Sequence, residues 1–372
     1  MYGAMVVALG VAAINNGANL MLLLFGAGTG TIVVAACMTA TGLKPLHTAR
    51  TTPAAAMAGH PFRIRYRLEN RHRWRRLFSL DLMDRVPNDR IERWPRAYVP
   101  MIPPRAAVSV DVTVLATRRG RLVFDDLRVG TRYPMALFSR RSQWTRKQEV
   151  IVYPAPGRLR RPVWQAGAAR DVNRERSSTA VGGAEEFVGL RDYRHGDNPR
   201  WIHWRRSART GELVVREMAQ YRPGAGLIVL DAQPRAGAGE AERETAIRLA
   251  ATLCGDGLEQ GFRIGLIASG QPLAVVPLAG GRRQGTALLR ELALMDADDG
   301  DFLAALERLP WPAEWTQAVC VVVAAADDDQ THRLVDRLGQ RGRDVQALIV
   351  GTPDFDAVFD ASTDAELTMI RS

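Results

Sequence analysis

Arginine, tryptophan and histidine side chains are concentrated between Gly189 and Thr210, in the stretch GLRDYRHGDNPRWIHWRRSART. Six arginines stand there against only two carboxylates, Asp192 and Asp197. Side chains of these types can grip phosphate groups, line a catalytic pocket, or fix a loop to a helix through bidentate ion pairs. Which of these roles applies depends on the helices and strands that position these side chains.

The second half of this stretch predicts a short helix followed by the strand-like ELVVREM. Asp197 or Asn198 can serve as the N-cap, Pro199 suits the first turn, and Gly211 suits the end of the helix. The helical period would then place four side chains on one face, namely Trp201, Trp204, Arg205 and Ala208.

Two interpretations of this motif stay open. In the structural one, the tryptophans dock on a sheet, and the arginines pair with nearby carboxylates, so that loss of Arg191 or Trp204 lowers the melting temperature. The pairs would join Arg191, Arg200 and Arg209 to Asp192, Asp197, Glu186 or Glu212. In the other interpretation, the stretch is a recognition surface for a partner or a small anion.

An aspartate at the end of a strand is the second candidate for chemistry. The apolar run GLIVLDAQ reaches Asp231, and ligands of open α/β sheets bind beyond the carboxyl ends of strands, here at Asp231 and residues 327–329. Asp231 is similar to the first ligand of the von Willebrand factor A metal motif, Asp-x-Ser-x-Ser. Because Gln233 and Arg235 replace the serines, we expect Asp231 to cap a turn or pair with an arginine rather than hold a metal.

Several function classes are excluded by what the sequence lacks. It has no GxxxxGK[ST] loop, no GxSxG elbow and no HExxH motif. Its three cysteines are far apart, so neither a zinc site nor a disulfide framework is expected. The net charge is +10, but the arginines are spread over strands and loops, which disfavours a single nucleic-acid-binding face. We therefore expect no catalysis, no cofactor and no nucleic acid.

Residues 1–43 carry no charged side chain and predict a transmembrane helical hairpin. The polar NNGAN at residues 15–19 divides them into an apolar segment of about 14 residues and one long enough to cross a hydrocarbon core of about 30 Å. No basic residue precedes the first segment, as it would in a signal peptide. Lys44 and the arginines from Arg50 onward place the following chain in the cytoplasm by the positive-inside rule.

Two further domains follow the hairpin. PFRIRYRLEN and VSVDVTV alternate between apolar and polar residues, so residues 48–155 are typical of a β-sandwich of immunoglobulin type. From residue 180 to residue 352, apolar strands alternate with helical patterns, which predicts a doubly wound, mainly parallel sheet.

The stretch that begins at Glu186 resembles the signature of the bacterial family called domain of unknown function 58. The segments NNGANL and RRGRLVFDDLRVGTRYPMALF are also similar to segments of that family. The residues that match the signature are Glu186, Phe187, Gly189, Leu190, Arg191, Tyr193, Gly196, Asp197, Arg200, Ile202, Trp204, Ser207, Ala208 and Arg209.

This resemblance implies a membrane-anchored protein with a β domain and a von Willebrand factor A-like domain, and we expect the anchor to lie in the inner membrane. Such proteins are often encoded beside MoxR-type AAA+ ATPases, which implies a non-enzymatic adaptor that works with such an ATPase in assembly or envelope-related processes. The binding residues would be those of the signature, Arg191, Tyr193, Asp197, Arg200, Trp204, Ser207 and Arg209. The alternative is a metal-dependent binder or enzyme that uses the crevice near Asp231.

Overall fold

The computed structural model describes residues 2–16, 19–86, 90–164, 185–194, 197, 199–220, 224–235, 238–296, 300–316, 318–341 and 345–361. The chain divides into two compact units. The first comprises Met1–Ala155 with Leu289–Met295, and the second comprises Pro156–Leu288 with Asp296–Ser372.

The first unit begins with two apolar helices, α1 at Tyr2–Asn16 and α2 at Asn19–Gly42. The helices approach closely at glycines, because a Cβ on Gly10 would lie 2.7 Å from the ring of Phe25. Helix α2 has 24 residues, and an 18-residue stretch of it has a mean hydropathy of 2.1, which makes the helix long and apolar enough to cross a membrane. Helix α1 is apolar but shorter.

Between α2 and residue 155, the described residues form eight strands: β1 Leu46–Thr51, β2 Ala55–Met57, β3 Pro61–Asn70, β4 Leu77–Arg85, β5 Arg96–Ile102, β6 Ala107–Leu115, β7 Gly120–Thr131 and β8 Arg140–Tyr153. They form a three-stranded sheet, β1-β3-β6, and a five-stranded sheet, β2-β8-β7-β4-β5.

Strand β3 shows why these segments fold as strands. The alternation in PFRIRYRLEN is confirmed, since Ile64, Tyr66 and Leu68 are fully buried while the arginines between them are exposed. The buried side chains of β3 belong to the same hydrophobic core as Leu82 and Leu122 of the five-stranded sheet. The two sheets therefore share one core.

The second unit contains the remaining elements, in chain order: β9 Arg158–Leu159, β10 Glu185–Asp192, α3 Trp204–Thr210, β11 Val214–Gln220, β12 Ala225–Asp231, α4 Glu240–Glu259, β13 Arg263–Ala268, β14 Ala274–Ala279, α5 Arg282–Leu294, α6 Phe302–Arg308, β15 Val319–Ala324, α7 Asp329–Gln340, β16 Val345–Ile349, α8 Pro353–Val358 and β17 Phe359–Asp360. The last residues of α5 fall in the first unit.

The central sheet of this unit has the strand order β14-β13-β12-β15-β16. Strand β12 pairs in parallel with β13 and β15, β15 pairs in parallel with β16, and only the edge strand β14 is antiparallel. This confirms the predicted mainly parallel sheet. Residues 226–231 of β12 are all buried, as expected for a continuous apolar run at the centre of such a sheet.

The second unit extends further than residues 180–352 at both ends. Strand β9 pairs with β17 beyond residue 352, and Trp164 is fully buried in the unit. The indole N–H of Trp164 donates to the Leu253 carbonyl at 3.2 Å, and its ring lies against Gly226 and Gly257. The two glycines leave the space that the indole fills.

Candidate functional site

The signature residues lie in a two-stranded hairpin formed by β10 and β11. The strands are antiparallel, with Asp192 opposite Val214, and a 3-10 turn at Pro199–Trp201 and helix α3 connect them. We call this assembly, residues 185–220, the signature hairpin. His195, Gly196 and Asn198 lie outside the described residues.

Helix α3 begins at Trp204, so the prediction of a helix starting near Pro199 with Asp197 or Asn198 as its cap was wrong. Ile202 forms a bridge to Val215 and is buried, and the N–H of His203 donates to the Val214 carbonyl at 2.8 Å. Pairing to β11 therefore interrupts the helical path. His203 is the N-cap instead, since its Nδ1 accepts from the N–H of Arg206 at 3.1 Å.

Two small residues, Gly211 and Ser207, determine where helix α3 ends and how it is attached to β11. Gly211 ends the helix in the left-handed conformation at φ 79°, as predicted. Ser207 is buried, and its hydroxyl accepts from the N–H of Val214 at 2.9 Å. The N–H of Tyr193 donates to the Leu213 carbonyl at 2.8 Å, which holds the end of β10 against the same segment.

Arg191 and Asp197 close the loop between β10 and the 3-10 turn. The two terminal nitrogens of Arg191 donate to the two carboxylate oxygens of Asp197, each at 2.7 Å, which confirms the expected pairing of Arg191 with a nearby carboxylate. The N–H of Arg194 adds a third bond to Asp197 at 2.8 Å. These hydrogen bonds, the one from Arg191 first, lower the pKa of Asp197 to about 2.

This ion pair is only partly shielded from water, since the side chains of Arg191 and Asp197 are 34% and 18% exposed. Loss of the Arg191–Asp197 pair is therefore expected to loosen the signature hairpin but not to unfold the whole unit. This effect is smaller than the lower melting temperature that the sequence predicted for loss of Arg191.

We expect the signature hairpin to loosen in acid because the folded pKa of Asp197 lies below its ordinary value of 3.8. A depressed carboxyl pKa stabilises the fold above about pH 4, and that stabilisation disappears as the pH falls through about 2. Hydrogen-exchange protection of residues 185–220, corrected for the intrinsic exchange rate, measures the effect. Asp197→Asn should show weaker protection at pH 5 and little further change at pH 2; equal pH dependence in both proteins would contradict the assignment.

Trp204 is exposed to 64%, so the prediction that it docks on a sheet was wrong. Arg205 and Ala208, the other α3 residues of the predicted apolar face, are exposed as well, whereas Trp201 is half-buried. Trp204 is exposed because α3 starts later than predicted and is attached to β11 through Ser207 instead of through its tryptophan. Arg200 and Arg209 are also exposed.

Asp231 ends strand β12 beside the end of β15, opposite Ala324. Its carboxylate accepts from Arg235 at 2.8 Å and from the N–H of Gln233 at 3.3 Å, which confirms both the expected arginine pair and the turn cap. Arg235 also donates to the side-chain oxygen of Gln233 at 2.8 Å and to Asp328 at 3.3 Å. Arg235 thus lies between the two carboxylates.

The residues at these strand ends do not fit a divalent cation. The guanidinium of Arg235 already supplies positive charge to both carboxylates, and Asp328 is further engaged as the N-cap of α7, accepting from the N–H of Thr331 at 2.8 Å. Burial by itself would raise the pKa of Asp328, but the bonds from Thr331 and the charge of Arg235 lower it overall. Within the described ranges, no three His, Cys, Asp or Glu side chains are grouped to hold a metal.

Comparison with known proteins supports the resemblance noted in the sequence. The family model described as "Protein of unknown function DUF58" matches residues 189–355, which supports placing the chain in that family. No curated protein sequence matches the chain.

Two solved structures are similar to less than a third of the chain. The sporulation control protein Spo0M from Bacillus subtilis is 11% identical, with a TM-score of 0.17 over 29% of this chain. The alignment spans about half of that protein, 49% of its chain. Superoxide reductase (neelaredoxin) from Ignicoccus hospitalis is 12% identical, with a TM-score of 0.18 over 29% of this chain and 81% of its own.

Proposed function

We propose that the protein is a membrane-anchored, non-enzymatic interaction protein that binds a partner protein through the signature hairpin. The observation that carries this proposal is the exposure of Trp204 on a well-anchored two-turn helix. A large aromatic side chain left in water contributes little to the fold, but it supplies much binding energy when a partner buries it.

The surroundings of Trp204 fit the same role. Arg205, Arg206 and Arg209 extend from α3, and the apolar side chain of Leu213 is exposed just before β11. Tryptophan and arginine are the residue types enriched at binding hot spots. Such a surface suits a partner that offers an apolar pocket rimmed by carboxylates.

The hairpin is held in shape before any partner binds. The Arg191–Asp197 pair, the His203 cap and the buried hydroxyl of Ser207 each fix part of it. A surface ordered in advance loses less conformational entropy on binding, which favours specific association.

The proposed location and partner are supported by the apolar helix α2 and by the resemblance to the family. We place α1 and α2 in the inner membrane and the rest of the chain in the cytoplasm, because basic residues follow α2 directly. The partner we propose is a MoxR-type AAA+ ATPase, in assembly or envelope-related processes. The proposal includes an immunoglobulin-like arrangement of the β strands of the first unit and a second unit of von Willebrand factor A type. The alternative metal-dependent function near Asp231 is disfavoured by Arg235.

Trp204→Ala is expected to weaken binding of a purified MoxR-type ATPase by at least about thirtyfold, the effect of a hot-spot truncation. The melting temperature should stay unchanged, because an exposed side chain costs little stability when removed. Binding is measured with the full chain in detergent by biolayer interferometry. Trp74→Ala, which removes an exposed tryptophan from the first unit, is the matched control. An unchanged affinity of Trp204→Ala, or an equal loss in the control, would overturn the proposal.

A further inference from the structure

Two loops of the first unit, residues 71–76 and 132–139, contact the C-terminal end of α2, and a third loop, residues 103–106, contacts the first of them. The side chain of Arg75 donates to the hydroxyl of Thr41 and, at 3.2 Å, to the Met38 carbonyl. The hydroxyl of Thr39 donates to the Tyr133 carbonyl at 2.8 Å. The loop at residues 103–106 contacts the 71–76 loop through the N–H of Arg105, which donates to the His72 carbonyl at 3.2 Å.

These loops present a dense positive charge, which we call the basic collar. Its members are the exposed arginines of the loops and of the start of β8, namely Arg71, Arg73, Arg76, Arg105, Arg132, Arg140 and Arg141. Segments 71–76, 103–106 and 132–141 contain no aspartate or glutamate. The neighbouring Glu69 pairs with Arg71 at 3.1 Å, so the collar keeps a large excess of positive charge.

Exposed apolar side chains lie among these arginines. Trp74 is 77% exposed, and Met135 and Phe138 are exposed on the loop that contacts α2. The Trp74 loop is well anchored, since the fully buried amide of Asn70 donates to the Arg75 carbonyl at 2.8 Å and to the Ile102 carbonyl at 3.2 Å. An ordered loop therefore keeps the Trp74 side chain exposed.

The length of α2 determines the level of the membrane at which the basic collar lies. Its 24 residues rise about 36 Å, whereas the hydrocarbon core is about 30 Å thick. The last turn of the helix then lies among the lipid headgroups. Thr39 is buried in a helix that is otherwise largely exposed, and it contacts Tyr133, so the loop at residues 132–139 meets α2 at this level.

We propose that the basic collar binds the phosphates of anionic phospholipids in the leaflet from which α2 emerges, with Trp74, Met135 and Phe138 entering the interface. Arginine side chains reach headgroup phosphates from this depth, and tryptophan prefers the boundary between headgroups and acyl chains. The inference rests on the proposed membrane anchoring by α2 and adds the lipid class that the anchored protein recognises.

The first test measures lipid selection by the full chain in a mild detergent. The protein is equilibrated with equal amounts of phosphatidylglycerol and phosphatidylcholine, and native mass spectrometry counts the lipids retained. The wild-type chain should retain phosphatidylglycerol preferentially. Arg73→Ala/Arg132→Ala, which removes one arginine from each of two loops, should reduce this preference on the order of tenfold.

The matched control is Arg63→Ala/Arg93→Ala, which removes the same charge from the same unit. Arg63 lies about 23 Å along β3 from the collar, and Arg93 precedes β5, whose other end leads into residues 103–106. The control should keep the preference for phosphatidylglycerol. Equal retention of both lipids by the wild-type chain, or an equal loss in the control, overturns the proposal.

The second test locates Trp74 in proteoliposomes that contain brominated lipids, which quench tryptophan fluorescence on contact. The quenched signal of the wild-type chain should exceed that of Trp74→Phe, and an equal signal overturns the interfacial placement. Failure of the anchoring itself gives a different result, because the full chain would then leave the proteoliposomes in alkaline carbonate. If the chain stays in the proteoliposomes in alkaline carbonate but shows no preference for phosphatidylglycerol, the lipid binding by the basic collar is refuted and the anchoring by α2 is not.

Discussion

Asp84→Ala is expected to destabilise the first unit by about 3–5 kcal/mol, the cost of leaving a buried charge without its partner. Asp84 is fully buried and Arg50 is 5% exposed, and they are joined through both carboxylate oxygens at 2.7 and 2.9 Å. Because domains are stable by only about 5–15 kcal/mol, the variant should melt far below the wild-type chain or fail to fold.

The cost is large because Arg50 and Asp84 belong to one network that joins the two sheets. The hydroxyl of Tyr66 donates to Asp84 at 2.8 Å, and Arg50 donates to the side chain of Gln148 at 2.9 Å and to the Phe124 carbonyl at 2.8 Å. Strands β1 and β3 of the three-stranded sheet are thereby fixed to β4, β7 and β8. Loss of the carboxylate leaves the Tyr66 hydroxyl and one terminal nitrogen of Arg50 in the core without an acceptor.

Thermal unfolding of the full chain in detergent, followed by circular dichroism, measures this effect. Arg65→Ala is the matched control, since Arg65 pairs with Asp111 at 2.7 Å on the exposed face of the three-stranded sheet of the same unit. A water-exposed pair contributes little, so the control should melt with the wild-type chain. If Asp84→Ala melts with Arg65→Ala, the buried network does not hold the unit together.

Trp164→Ala is expected to destabilise the second unit by about 3–5 kcal/mol, the range for emptying a buried tryptophan site. The fully buried indole fills the space over Gly226 and Gly257, and its N–H is bonded to Leu253 in α4. Glycines have no side chain that could close over the cavity.

Denaturant unfolding of the full chain, monitored for the second unit, tests this expectation. Trp204→Ala removes the same indole without creating a cavity and should unfold with the wild-type chain. Gly226→Ala tests the packing from the other side, because its Cβ would lie 2.3 Å from the Trp164 ring. We expect Gly226→Ala to be destabilised as well; wild-type stability of both Trp164→Ala and Gly226→Ala would show that this contact contributes little.

Local patterns in the sequence determined much of this structure. The alternation around Tyr66 specified a half-buried strand because side chains alternate between the faces of a sheet. The apolar run that ends at Asp231 specified a central parallel strand, and Gly211 specified the end of a helix. Arg235 follows Asp231 by four residues, so the pairing that replaces a metal ligand could also be inferred from the sequence.

Contacts between residues distant in sequence were decided only by the tertiary structure. Because Ile202 pairs with Val215, helix α3 starts later than the sequence predicted. Trp204 is therefore exposed, although the helical period placed Trp204 on an apolar face. Trp164 joins the second unit because glycines 62 and 93 residues later leave room for it. Arg50 and Asp84 each lie in an ordinary strand pattern, and neither identifies its partner. Short-range periodicity fixes which face a residue occupies within its own element, whereas burial and partner depend on the packing of elements that the chain brings together only when folded.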